Sequence, residues 1–170
     1  MTSVVTQEIR LKKMALVEAL SAEIYGKLAE KNHANRDLWS KLKKEEEGHE
    51  RIVTKFHDSL KEGKISVEHE DVTLHTLEKT CEFLELQLRV LNTKDYFSSA
   101  DALSLAETVE DKTIDSIVFD AFTTKLPELE ELLKRLKEES LAHRESIRKR
   151  KKTTLNLVSR ILSFINRIFG

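Results

Sequence analysis

WSKLKKEEEGHERIVTKF, residues 39–56, decides how this chain is read. Its apolar residues Trp39, Leu42, Val53 and Phe56 keep the three-and-four spacing of one buried helix face. Glu46 and His49 stand on that same face, where the ladder would otherwise carry apolar side chains. A buried charge without a partner is very costly, so a carboxylate and an imidazole in mid-seam require partners or a metal.

The pattern recurs on both sides of this stretch. Upstream the seam is Leu11, Met14, Glu18, Ser21, Tyr25, Leu28. Downstream, one seam runs Leu103, Ala106, Glu110, Thr113, Ile117 and another Leu129, Leu133, Leu136, Ser140, His143, Ile147. Three Glu and two His brought from four helices into one core are what a bound metal pair would explain. Iron and manganese take carboxylate oxygen and imidazole nitrogen, and a Glu and a His three apart share a helix face. One Glu-x-x-His is a weak signal, because acidic helices generate it often. Glu18 and Glu110, core-facing on separate helices, add the weight.

Composition bounds the rest. The 170 residues suit one domain, and 35% charged residues with four Gly and one Pro favour helix throughout. A lone Cys81 excludes an internal disulfide and a Cys-x-x-Cys metal knuckle, and suits a reducing cytoplasm. The first residues lack the apolar run of a secretory signal, so a cytoplasmic protein is expected. The net charge of −1 hides an asymmetry: residues 144–170 carry eight Lys/Arg and one Glu, or +7, against −8 for the remainder.

Helices are predicted over about 6–30, then to about 61 with Gly63 at the exit, over 71–92, from about 101 to 122, and from Pro127 onward. The polar stretch 66–71 reads as a connection, and 93–101 as a loop with Ser99 or Asp101 as helix cap. Leu74, Leu77, Cys81, Leu84, Leu88 and Leu91 form a seam with no ionisable interruption except a thiol. A helix of about 33 Å there can carry the chain from one end of a bundle to the other. The expectation is an all-α four-helix bundle of two antiparallel pairs joined by a helical crossover. KKEEEGH at 43–49 and RLKEESLAH at 135–143 hint at a duplicated helix pair.

EALSAEIY at 18–25, LA at 28–29 and EEEGH at 45–49 resemble the first helix pair of rubrerythrin-type ferritin-like proteins. DALSLAETVEDKTIDSI at 101–117 is similar to the third helix of that family. The resemblance spans roughly residues 10–147 without the crossover. It implies a ferritin-like bundle holding two metal ions, iron first and manganese as the alternative. Glu18 and Glu110 would be terminal ligands, Glu46 the bridge, and His49 and His143 one imidazole for each ion. Tyr25 would support a ligand. It also implies reaction with dioxygen or hydrogen peroxide: peroxide removal, ferrous-iron oxidation, or iron handling at a membrane. With no rubredoxin module of paired Cys-x-x-Cys, electrons would come from an external donor. Two positions depart from the family: Ser140 stands where the second Glu-x-x-His has its Glu, and Thr113 where a further carboxylate is common. The second ion should therefore be held more weakly, with Glu139 or Glu107 as possible substitutes.

The division expected is a metal-binding bundle at 1–147 and a basic cluster plus an extra C-terminal amphipathic helix at 148–170. RKRKK at 148–152 precedes TTLNLVSRILSFINRIFG, whose Leu157, Val158, Ile161, Leu162, Phe164, Ile165, Ile168 and Phe169 share one face. The apolar run is too short to span a bilayer. An in-plane anchor on an anionic membrane surface fits this pattern, and so does a fifth helix docked on its own bundle or in a homo-oligomer. Nucleic-acid binding would rest on RKRKK alone, without a fold signature. The rival to the metal reading is a non-enzymatic helical adaptor whose polar core residues set register and whose tail recruits a partner. His33, His57, His69 and His75 show no ligand spacing.

Overall fold

With so few helix breakers, almost every long apolar seam becomes a helix. The computed structural model describes residues 4–67, 74–113 and 122–169. The elements are α1 (Val4–Lys31), a 3-10 turn (His33–Asn35), α2 (Arg36–Lys61), β1 (Ile65–Val67), α3 (Leu74–Asn92), α4 (Ser99–Thr113), β2 (Phe122–Thr124) and α5 (Pro127–Phe169). Ile117, His69 and the start expected for the crossover at 71–73 lie outside the described residues.

Side-chain pairs fix the topology. Tyr25 stacks on Trp39 while Glu18 lies beside His49, so α1 and α2 are antiparallel. Tyr25 meets Glu110 and Asn32 meets Phe97, making α1 and α4 antiparallel as well. On α5, Lys151 reaches Glu107 and Arg144 approaches Asp111, which sets α5 against α4 in the same sense. The fifth helix of this set differs: Cys81 lies by Lys13 and Leu91 by Lys31, so α3 runs parallel to α1. It returns the chain from the end where α2 finishes to the end where α4 begins, as its uninterrupted seam predicts. Leu77, Cys81, Leu84, Leu88 and Leu91 are its buried face.

The α1–α2 turn is held by Asn32, which is fully buried. Its amide nitrogen donates to Phe97 O at 2.9 Å, and its oxygen accepts from Trp39 Nε1 at 3.0 Å and Asn35 Nδ2 at 3.1 Å. At the other end of α2, Gly63 takes φ 69°, a left-handed conformation that glycine adopts without a Cβ penalty.

Three sequence-based expectations change. Residues 66–67 are not simply a connection, and α4 does not extend to 122: β1 pairs antiparallel with β2, Val67 opposite Phe122. Strands of three residues are too short to show an alternating pattern, and their anchor is tertiary, Phe122 packing on Phe56 at 5.9 Å. The cap of α4 is Ser98, whose Oγ accepts from Asp101 N at 3.1 Å and donates to Asp101 Oδ2 at 2.8 Å. Finally, α5 is a single 43-residue helix, about 64 Å long. The basic cluster and apolar tail therefore continue the helix that carries His143 rather than forming a separate one. The tail does not dock on its own bundle, since its large apolar side chains from Leu155 to Ile168 are 43–64% exposed. Among the described residues, no helix is long and apolar enough to cross a membrane.

Candidate metal centre

Glu46 and His49 sit one helical turn apart on the buried face of α2, and His143 faces them from α5. All three are at most 3% exposed. The Glu46 carboxylate is divided between the two rings: Oε1 lies 2.9 Å from His143 Nδ1 and Oε2 lies 3.1 Å from His49 Nδ1. The imidazoles stack with centroids 5.3 Å apart and planes 18° from parallel. Ligand atoms of the three residues fall within 4.8 Å of one another, a grouping that can hold a metal ion.

Each histidine has a second carboxylate on its outer nitrogen. His49 Nε2 lies 3.0 Å from Glu139 Oε2, and His143 Nε2 lies 3.2 Å from Glu45 Oε2. Glu45 precedes His49 by four residues and Glu139 precedes His143 by four, so each helix supplies the outer carboxylate for the imidazole of the other. The hint of duplication in the sequence thus has a spatial counterpart: Glu45, Glu46 and His49 correspond to Glu139, Ser140 and His143. Arg135 Nε in turn donates to Glu139 Oε1 at 2.8 Å.

This arrangement decides what the inner nitrogens present. A neutral imidazole carries one N–H and one lone pair. Where Glu139 accepts the Nε2 proton of His49, Nδ1 turns a lone pair toward an anionic oxygen of Glu46. Two lone pairs 3.1 Å apart need a cation between them, either a proton or a metal ion. Glu46 is ionised: burial pushes its pKa up, but hydrogen bonds from His143 and His49 outweigh that and hold it well below the usual carboxylate range. Burial likewise opposes, and Arg135 and His49 prevail in, a lowered pKa for Glu139.

The remaining predicted residues are placed as follows. Glu18, 2% exposed, brings Oε2 to 3.8 Å from His49 Nδ1. Glu110, 7% exposed, accepts a short hydrogen bond on Oε1 from the Tyr25 hydroxyl. Neither belongs to the tight three-residue grouping of Glu46, His49 and His143. Ser140 turns its hydroxyl back to Leu136 O at 3.0 Å and offers nothing to the centre. The two substitutes considered for it are both engaged elsewhere. Glu139 holds the outer side of His49, and Glu107 pairs with Arg148 and Lys151 at 3.0 and 2.7 Å. Glu45 went unassigned in the sequence, although its place one turn before a core histidine was the available signal.

No protein-family model, curated protein or solved structure matches the chain.

Among the described residues, the other histidines stay apart from the centre. His33 and His75 are exposed, and His57 is half-buried with Nδ1 3.5 Å from Asp58 Oδ1. Cys81 is a buried thiol whose pKa burial pushes up, in keeping with a small apolar role.

Proposed function

We propose that this protein is a non-haem metal protein of the rubrerythrin type, holding iron between α1, α2, α4 and α5 and reacting with peroxide or dioxygen. The observation that carries this reading is the bridge position of Glu46, with one oxygen facing each inner imidazole nitrogen. Two ligand atoms at about 2.1 Å from one ion and about 90° apart are separated by about 3.0 Å, which is the spacing found on both sides of Glu46. The donor set supports it as well: three buried carboxylates and two buried imidazoles in one core are oxygen and nitrogen ligands of the kind iron takes.

Glu46 would bridge, His49 and His143 would each take one ion, and Glu18 and Glu110 would close the two ends. Iron in such a centre supplies the electrons that reduce an O–O bond. The chain's own residues set its geometry. Glu139 holds the outer nitrogen of His49 by a hydrogen bond, and Glu45 lies 3.2 Å from that of His143, so both outer sides face a carboxylate while both Nδ1 atoms face Glu46. Tyr25 fixes Glu110 through Oε1 and, stacked on Trp39, helps exclude water from that end. Ser140 removes one carboxylate from the His143 half, so that half binds more weakly and fewer than two ions per chain are held tightly.

Metal analysis of protein purified without chelators tests the ligand set. The Glu46→Ala/His49→Ala variant is expected to lose most bound metal, and wild-type stoichiometry in that variant would reject the assignment. Stopped-flow mixing of the ferrous protein with peroxide and with dioxygen tests the chemistry. Absence of a ferric absorbance change with either oxidant would leave a structural metal or the adaptor reading, in which protons take the places of the ions between Glu46 and the two rings.

A further inference from the structure

Leu129, Leu136, His143 and Ile147 point into the bundle from α5. Steps of seven, four, three, four and three then carry that same face from Ile147 through Thr154, Val158, Ile161, Ile165 and Ile168, all within one unbroken helix. Leu157, Leu162 and Phe164 widen the stripe, and each is more than half exposed. The core-facing seam therefore overshoots the bundle, and its large apolar side chains from Leu155 to Ile168 look over the bundle end, exposed. An apolar patch of this extent marks an interaction surface.

From this geometry we infer that the stripe is covered by the corresponding stripe of a second copy of the chain. Two observations choose this occupant over a lipid surface. First, the stripe faces the side of α5 on which the bundle is packed. A flat bilayer lying along it would have to pass through α1, α2 and α4. Second, the charge is self-complementary: residues 144–170 carry +7 and the rest of the chain −8. An anionic bilayer attracts the tail but repels the acidic body beside it, whereas a second copy sets each basic tail near an acidic body. Arg148 and Lys151 already show this preference within one chain, pairing with Glu107 and Asp111. The remaining basic residues of the cluster, Lys149, Arg150 and Lys152, are exposed.

Light scattering coupled to size-exclusion chromatography of the full chain tests the inference. At micromolar concentration the expected mass is at least twice the 19.7 kDa of one chain. Ile161→Asp/Ile165→Asp changes only exposed positions, so it should keep the wild-type helical circular dichroism while returning the mass to that of a single chain. A wild-type chain that runs as a monomer, or a variant that keeps the assembled mass, overturns the proposal. Sedimentation with phosphatidylserine vesicles at low salt separates the alternative. Wild-type protein that stays in the supernatant agrees with a stripe already covered. Protein that is monomeric without vesicles and pellets with them assigns the stripe to lipid instead.

Discussion

Glu45 and Glu139 touch the imidazoles on the side away from the centre, so their removal should loosen the metal without deleting a ligand. Glu45→Ala and Glu139→Ala are each expected to weaken metal affinity by about 10- to 100-fold in chelator competition, with unchanged stoichiometry at saturation. Glu46 sets a different dependence in the metal-free protein. Its pKa in the fold lies below the ordinary 4.5, so its ionised form stabilises the folded state above that pH, and the contribution fades as pH falls further. Urea unfolding of the apoprotein should show stability falling from about pH 4.5 downward, and Glu46→Gln should flatten that limb of the profile. An equally steep acid limb in the variant would place the titration elsewhere.

At the level of elements, the long helices were legible because their seams are long. The spacing of Leu11 to Leu28 or of Trp39 to Phe56 repeats often enough to fix both type and phase, and every residue of those two seams is buried, with Val17, Ala22, Ile24 and Ile52 buried beside them. Glu18, Glu46, His49, Glu110 and His143 were legible for the same reason, as polar residues in otherwise apolar ladders. What escaped was short or tertiary. β1 and β2 have three residues each and exist by pairing across 55 residues of chain, and Ser98 caps α4 one position ahead of the helix signal. Asn32 falls in the short gap between two predicted helices, yet it joins α1, Trp39 of α2 and the start of α4. Asn32→Ala would leave the Trp39 indole N–H and the Phe97 carbonyl without their partner in a buried site, at a cost of about 2 to 3 kcal/mol. Thermal or urea denaturation measures it, and a change below about 0.5 kcal/mol would mean that water replaces the amide.

For the molecule as a whole, the proposed ligand set, drawn from four helices, would make metal binding and folding one equilibrium. Free ferrous or manganous ion at about 100 times its dissociation constant should add about 2.7 kcal/mol to stability, and the Glu46→Ala/His49→Ala variant should show no such gain in a thermal melt. The unbroken α5 adds a mechanical consequence. His143 and Phe169 lie 26 residues apart on one rod, a span of about 39 Å. A tilt of only about 5° at the histidine would sweep the far tip through about 3 Å, roughly the width of a methyl group. The rod is therefore a lever with its fulcrum in the bundle, and whatever grips the tip holds a long arm with which to press on, or feel, the spacing between the two imidazoles.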